Sequence, residues 1–493
     1  MELASILQFL ENRTILVTGA AGFLAKIFLE KILRVQPNVK KLYLLLRASD
    51  AKSSSQRFHN EVLDKDLFRV LRDKLGSRLT SFMSEKVTPV AGDITLENLG
   101  VKDKYLLEEM WRRVEIVVNL AATTNFDERY DVALNINTMG AKHVLNFSKK
   151  CDNIKLLLHV STAYVSGERA GLITEKAYEM GETLKGTSQL DIDTEMKVAE
   201  ERLSQLQAQK TAQTEITKAM KDLGLQRAMK YGWPNTYVFT KAMGEMLLGH
   251  VKENMGLVIM RPAIITSTFK EPFPGWIECF KAIDSVIVGY GKGKLRRIPG
   301  DPNSVLDLIP ADMVVNAMVV AMAAHANKRN YSWETIYQVG SSASHPLQFT
   351  CLLDYGFRYF TNHPWIAKNG KRIKVGKLSL LNSMSSYQNY VTIRYLLPLK
   401  GLKVVDKALC HYFRALYLNL RKKINFAMRL AELYRPYLFM KGIYDDKNTE
   451  ELRVAARENG VEMDVFYFDP KIINWEDYFM NIHFPGVVKY LFK

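Results

Sequence analysis

Apolar residues crowd the amino-terminal part of the chain in short blocks, and two spacings alternate within them. Thr14–Thr18 is unbroken and β-branched, which predicts a buried strand, and from Phe23 to Leu33 apolar residues recur at helical spacing. The alternation repeats downstream. Lys41–Arg47 predicts a second strand, the stretch ending at Gly92-Asp93-Ile94 a third, Val114–Leu120 a fourth and Ile154–Val160 a fifth. Helical periodicity over Leu106–Arg113 and Gly140–Lys150 separates them. A sixth strand ends at Arg261-Pro262, and "SVLDLIPADMVVNAMVVAMAAHA" reads as a short strand running into a long helix. Continuously apolar strands alternating with helices bury both faces of a sheet, so the expected fold class is α/β, a doubly wound parallel (Rossmann) sheet. Residues 180–232 are highly charged and read as helices inserted after the fifth strand. A compositional shift near 345–352 opens a mostly helical carboxyl-terminal domain, so the expected domains are 1–345 and 346–493.

In a doubly wound sheet, ligands sit outside the carboxyl ends of the strands. Gly22, Arg47, Asp93, Ala121 and Thr162 all fall there on this reading, and Ile94 follows Asp93. The first strand runs into Gly19-x-x-Gly22-x-x-Ala25 and then a helix. Small residues at those points allow a tight turn and close backbone approach. The helix's first N–H groups, from Phe23 and Leu24 onward, then face an anion such as a pyrophosphate. An acidic residue at the end of the second strand would bond a ribose 2′-hydroxyl, whereas Arg47 suits a 2′-phosphate, which favours NADPH. Further on, "YVFTKAMGEMLL" places Tyr237 and Lys241 one helical turn apart on one face. A phenol titrates near ~10, and a neighbouring ammonium is expected to bring it closer to working range. The hydroxyl of Thr162, or of its neighbour Ser161, could bond the same substrate oxygen.

Composition narrows the partners. A hydrophobic fraction of 47% suffices for a large core. The four cysteines (Cys151, Cys279, Cys351 and Cys410) are widely spaced, which argues against a disulfide framework and a zinc site. Only Cys410 adjoins a histidine, His411, and incidental thiols are expected rather than an acyl-enzyme nucleophile. The opening residues carry Glu2 and Glu11 and lack the basic start of a secretory signal, and no run of 18 apolar residues appears. Nearly all of the formal charge of +16 sits between Lys368 and Lys441, where sixteen Lys or Arg face only Asp406 and Glu432 among many aromatics. That stretch suits an anionic membrane surface or a polyphosphate-bearing substrate, or is a solvated basic face. No nucleic-acid reader motif accompanies it, so nucleic acid is not expected.

Taken in order, Gly19-x-x-Gly22-x-x-Ala25, Asn119-Leu120-Ala121-Ala122, Ser161-Thr162, Tyr237-x-x-x-Lys241 and Arg261-Pro262 resemble the extended short-chain dehydrogenase/reductases. More narrowly, "STAYVSGE", "YVFTKAMGEMLL", "RPAIITSTFKEPFPGW" and the tail segments "RPYLFMKGIYDDKNTE" and "INWEDYF" resemble the alcohol-forming fatty acyl-CoA reductases of plants over essentially the full length. That resemblance implies reduction of a long-chain acyl-CoA by NADPH in two hydride steps, through an aldehyde to a primary alcohol, for lipid, wax or suberin-type synthesis. It also implies Tyr237 as proton donor, Lys241 lowering its pKa and holding the nicotinamide ribose, and Thr162 fixing the oxygen. Pro262 and Ile264 would line the nicotinamide side. Peripheral attachment at the cytoplasmic face of the endoplasmic reticulum, or a cytoplasmic location, completes the expectation. One rival reading is a sterol or nucleotide-sugar dehydrogenase or epimerase on the same scaffold, against which the family-like tail and the basic-aromatic region argue. The other is a non-catalytic NADPH-binding or membrane-associated scaffold, against which the intact Thr162, Tyr237 and Lys241 set argues.

Overall fold

The structure is a computed structural model that describes residues 5–186, 189–252, 255–278, 282–326 and 334–492. Its centre is a seven-stranded sheet built from β1 (Thr14–Thr18), β2 (Lys41–Leu46), β3 (Val87–Ala91), β4 (Ile116–Asn119), β5 (Leu156–Val160), β6 (Leu257–Pro262) and β7 (Glu334–Val339). Every pairing is parallel, and the order across the sheet is β7-β6-β5-β4-β1-β2-β3. The chain winds outward from β1 in one direction and then, from β4, in the other. The switch between β1 and β4 opens the crevice in which such sheets bind ligands. The central strands are buried along their length, which is why they read as continuous apolar runs.

The helices cover both faces. α1 (Phe23–Val35) follows the glycine turn, α2 (Lys104–Arg113) leads into β4, and α3 (Gly140–Lys149) leads into β5. The charged insertion forms α4 (Ile192–Ala208) and α5 (Gln213–Tyr231), followed by α6 (Thr236–Val251) and α7 (Ala311–His325). Every residue of α7 is buried, in keeping with its all-round apolar composition. Past residue 345 come α8 (Phe349–Asn362), α9 (Leu397–Ala408), α10 (Arg414–Leu438) and α11 (Lys447–Glu458). The tail returns to the sheet domain. Gly442–Tyr444 pairs in parallel with Gly171–Ile173, and the Gln338 amide of β7 donates to the carbonyls of Ile173 and Asp445. One hydrophobic cluster accordingly runs from Ile6 to Phe492.

The differences from the expected pattern have local causes. The third strand stops at Ala91, because Asp93 N–H turns to the Leu99 carbonyl (2.7 Å) and leads the chain out of the sheet. The fourth and fifth strands begin at Ile116 and Leu156, two residues later than their apolar runs. β7 was not expected at all. It pairs only with β6, and as an edge strand it lacks the continuous apolar signature of its neighbours. The short helical pieces over 51–86 were likewise unannounced.

α6 lies against a turn of π-helix, Leu134–Met139, at a distance that only glycine permits. A Cβ on Gly244 would come within 2.4 Å of the Asn137 carbonyl oxygen. Since α6 carries Tyr237 and Lys241, this approach sets their height above the sheet. Gly244→Val is expected to cost about 3 kcal/mol of folding stability, read as a lowered urea midpoint; an unchanged midpoint would contradict the close packing.

Candidate active site

β1 ends in a turn that needs its first glycine. Gly19 has φ +65°, and a Cβ there would lie 2.7 Å from Ala121 N and Cα, at the end of β4. Gly22 donates its N–H to the Gly19 carbonyl (2.8 Å) and caps α1 without a side chain, which leaves the first N–H groups of α1 facing outward. Gly19, Gly22, Arg47, Asp93, Ile94 and Ala121 line one cavity along the carboxyl edge of β1, β2, β3 and β4. Asp93 is held there by its Oδ1, which accepts from Thr95 N–H (2.9 Å). A second guanidinium, not singled out from the sequence, joins them: Arg57 donates to the Arg47 carbonyl (2.5 Å) and pairs with Glu61 through both nitrogens (2.7 Å each). A glycine cradle that a Cβ would fill, a bare helix start and cationic side chains suit a dinucleotide with its phosphates against α1.

A second cavity shares Gly19, Gly22, Leu120 and Ala122 with the first. Into it face Phe23, Leu24, Thr162, Tyr237, Lys241, Pro262 and Ile264. Every residue expected from the sequence to bind the cofactor or to take part in proton transfer therefore lines one of two adjoining hollows. Asn235 caps α6, its Oδ1 accepting from Val238 N–H (3.1 Å), so the helix begins one residue before Tyr237. The Thr162 hydroxyl and the Tyr237 phenol face the same cavity. Ser161, next to Thr162, has a buried Oγ with no hydrogen-bond partner among the described residues. A buried hydroxyl without a partner costs free energy unless a bound molecule supplies one.

The ammonium of Lys241 does not do what was expected. Its Nζ donates to the Val160 carbonyl (2.8 Å) and lies 3.2 Å from His159 Nε2, both on β5. Burial pushes the Tyr237 phenol up to about 12, the neighbouring Thr162 hydroxyl only partly offsetting it. Burial also brings Lys241 down to about 8, against the pull of the Glu245 carboxylate one turn on. Desolvation thus outweighs the proximity that the i, i+4 spacing promised: the phenol keeps its proton and the amine is the group near neutrality. Burial and the adjacent Lys241 hold His159 well below the usual imidazole range, leaving a neutral ring. His159 Nδ1 lies 2.9 Å from the Asn119 amide, whose other end is 2.6 Å from Thr18 Oγ1, so β1, β4 and β5 are stitched together beneath the amine. Glu245 in turn is tied to Arg261 of β6 (2.5 Å) in a buried pair.

Aromatic rings from the tail roof this cavity. Phe126 stacks on Tyr237 (centroids 5.5 Å apart) and on Tyr437 (5.2 Å), and Tyr434 lies 5.2 Å away. Arg429 of α10 clamps the same loop by gripping Asp127 (3.0 Å), and also reaches Asp222 (3.0 Å). Through Ile264, Tyr434 and Tyr437 the cavity adjoins a third, almost wholly apolar one, lined among others by Ile287, Leu352 and Phe360. Neither Phe126 nor His159 was legible beforehand; each owes its place to a long-range contact. Tyr434 and Tyr437 lay in the basic-aromatic stretch, where their i, i+3 spacing on one helical face was the available signal. No described cysteine lines these cavities: Cys151 is buried with its thiol pushed up to about 12, while Cys351 and Cys410 lie elsewhere. Cys279 is outside the described residues.

Comparison with known proteins matches this geometry. Two sequence families, both described as male sterility protein, match residues 17–318, as an NAD-binding domain, and 394–493. An alcohol-forming fatty acyl-CoA reductase of Simmondsia chinensis is 56% identical over 490 residues, covering 99% of each chain. Fatty acyl-CoA reductase 1 of Arabidopsis thaliana is 54% identical over 492 residues, again covering 99% of each. Among solved structures, the reductase domain of a nonribosomal peptide synthetase from Mycobacterium tuberculosis superposes with a TM-score of 0.59 at 15% identity, over 97% of this chain and 92% of that one. The terminal R domain of the myxalamid biosynthetic pathway gives 0.53 at 16% identity, over 91% and 86%. These two show the fold. The full-length identity, together with a nicotinamide-type cradle beside a buried Thr–Tyr–Lys group, shows that the chain belongs to the male sterility protein family, the fatty acyl-CoA reductases.

Proposed function

We propose that this protein reduces long-chain fatty acyl-CoA to the primary alcohol, with NADPH, in two hydride steps through the aldehyde and with release of CoA. The observation that carries the reading is the junction of three hollows: a glycine-lined nucleotide cradle, a cavity holding Thr162, Tyr237 and Lys241, and an apolar cavity reached past Ile264, Tyr434 and Tyr437. The bound nicotinamide would supply the hydride, and the residues around it supply position and electrostatics. Gly19, Gly22, Phe23 and Leu24 would hold the pyrophosphate at the start of α1. Arg47 would take the 2′-phosphate, while Asp93, Ile94 and Ala121 would flank the adenosine half. Pro262 and Ile264 would back the nicotinamide.

Tyr237, protonated at neutral pH, donates its proton to the carbonyl oxygen, which Thr162 and Ser161 hold by hydrogen bonds. Lys241, fixed against β5, would hold the nicotinamide ribose with its ammonium. No cysteine is needed, since direct attack on the thioester requires no protein nucleophile. The division of labour falls at about residue 345: nucleotide binding and proton transfer before it, much of the acyl-binding wall after it. The same reading makes the protein a peripheral one at the cytoplasmic face of the endoplasmic reticulum, or in the cytoplasm, serving lipid and wax-type alcohol synthesis. The basic-aromatic segment supports it, and no described helix is long and apolar enough to cross a membrane.

Incubation with NADPH and stearoyl-CoA should yield stearyl alcohol; sugar or sterol turnover instead, or binding without turnover, would refute the reading. Tyr237→Phe should lower alcohol formation at least a thousand-fold on the order of a lost general acid, with NADPH binding intact by fluorescence. Arg47→Asp should raise KM for NADPH far more than for NADH, and equal effects would remove Arg47 from the 2′-phosphate site. Because the ammonium of Lys241 is the working form, kcat/KM for NADPH should fall as pH rises through about 8. Lys241→Arg should move that limb to higher pH; a limb that stays in place belongs to another group.

A further inference from the structure

Residues 393–426 stand out against the rest of the molecule. Of twenty large apolar side chains left exposed among the described residues, eleven lie in this one stretch. Tyr412 is 81% exposed, Val404 69%, Ile393 68% and Phe426 67%. They sit on a helical hairpin. α9 packs against α10 across a turn closed by Asp406, whose carboxylate accepts from Phe413 N–H (2.8 Å) and meets His411 Nδ1 (3.2 Å). The first residue of α10 to line a cavity is Ala427, so thirteen residues, about 20 Å of helix at the usual rise, precede its entry into the body. The exposed apolar positions of that outer part, Leu416, Leu418, Leu420 and Phe426, do not share one face. Only a surrounding medium, not a single flat partner, would cover them.

Charge identifies the medium. The same stretch carries eight lysines and arginines against one acid, Asp406, which is buried in the turn. A second copy of the chain would bring an equally positive hairpin against the first, which repels. An anionic bilayer offers headgroups for the cations and an acyl interior for the side chains between them. The base of the same helix does different work: Leu430, Ala431, Tyr434, Tyr437 and Leu438 wall the apolar cavity, and Tyr434 and Tyr437 also roof the cavity of Tyr237.

We propose that the α9–α10 hairpin is a docking arm that sinks into an anionic lipid surface and brings the mouth of the apolar cavity to the membrane, where long acyl chains partition. The docking stands on the hairpin alone; the delivery of substrate rests on the reductase reading above.

The test uses the full chain floated with vesicles of phosphatidylcholine, with and without phosphatidylserine. The chain should float with the anionic vesicles, and high salt should release it. Joint Arg421→Gln, Lys422→Gln and Lys423→Gln, all exposed, should weaken partitioning roughly a hundred-fold, and Leu416→Asn with Leu420→Asn should also weaken it. Flotation indifferent to lipid charge and salt, or unaltered in both variants, overturns the proposal. So does a wild-type dimer in sedimentation that the same substitutions dissolve. Anionic vesicles should also raise stearoyl-CoA turnover several-fold in the wild type but not in the triple variant, and equal stimulation overturns the delivery step. A chain that floats as described yet makes no alcohol on any lipid upholds the arm and refutes the reductase reading.

Discussion

The site rests on the burial of one amine. Lys241 is 1% exposed, at the carboxyl end of a parallel sheet, and a charge in that position survives only with partners in place. The partners reach across the fold: the last carbonyl of β5, the neutral ring of His159, and the carboxylate of Glu245, itself neutralised by Arg261 of β6. Each is on an element that must be in register for the bond to form, so sheet, helix and amine are positioned together or not at all. Gly244 lets α6 come close enough for this, and the Asn119–Thr18 link carries the same network to β1, where the nucleotide turn begins.

That arrangement gives proton chemistry a different cast from the simple picture of an ammonium sharpening a phenol. Both groups are desolvated, and desolvation favours their neutral forms. A phenol that keeps its proton is a donor at every physiological pH, which suits reduction, where the carbonyl oxygen must gain a proton. The amine is the group poised near neutrality. The orphaned hydroxyl of Ser161 beside Thr162 marks where an oxygen of a bound molecule would restore the missing partner.

The tail completes the site instead of standing apart from it. Arg429 grips Asp127, and with it the loop that carries Phe126, whose ring stacks on Tyr237. α10 thereby has two ends: one roofs the Tyr237 cavity and walls the apolar one, and the other is bare, apolar and cationic. A rigid helix couples whatever its outer end meets to the geometry of its inner end.

The first six sheet strands, the glycine turn and the helix bearing Tyr237 and Lys241 were legible in the sequence. Each is written in nearest-neighbour terms: β-branched runs bury on both sides, Gly19 answers a positive φ, and residues four apart share a helical face. What no local pattern could tell was the edge strand β7, whose pairing comes from a single distant neighbour. Nor could it tell that Phe126 and Tyr437 would meet over the site from more than three hundred residues apart. The direction of the Tyr237 and Lys241 shifts belongs to the same class. Spacing along a helix states which charges are near, but desolvation depends on everything packed around them, and that sum exists only once the chain has folded.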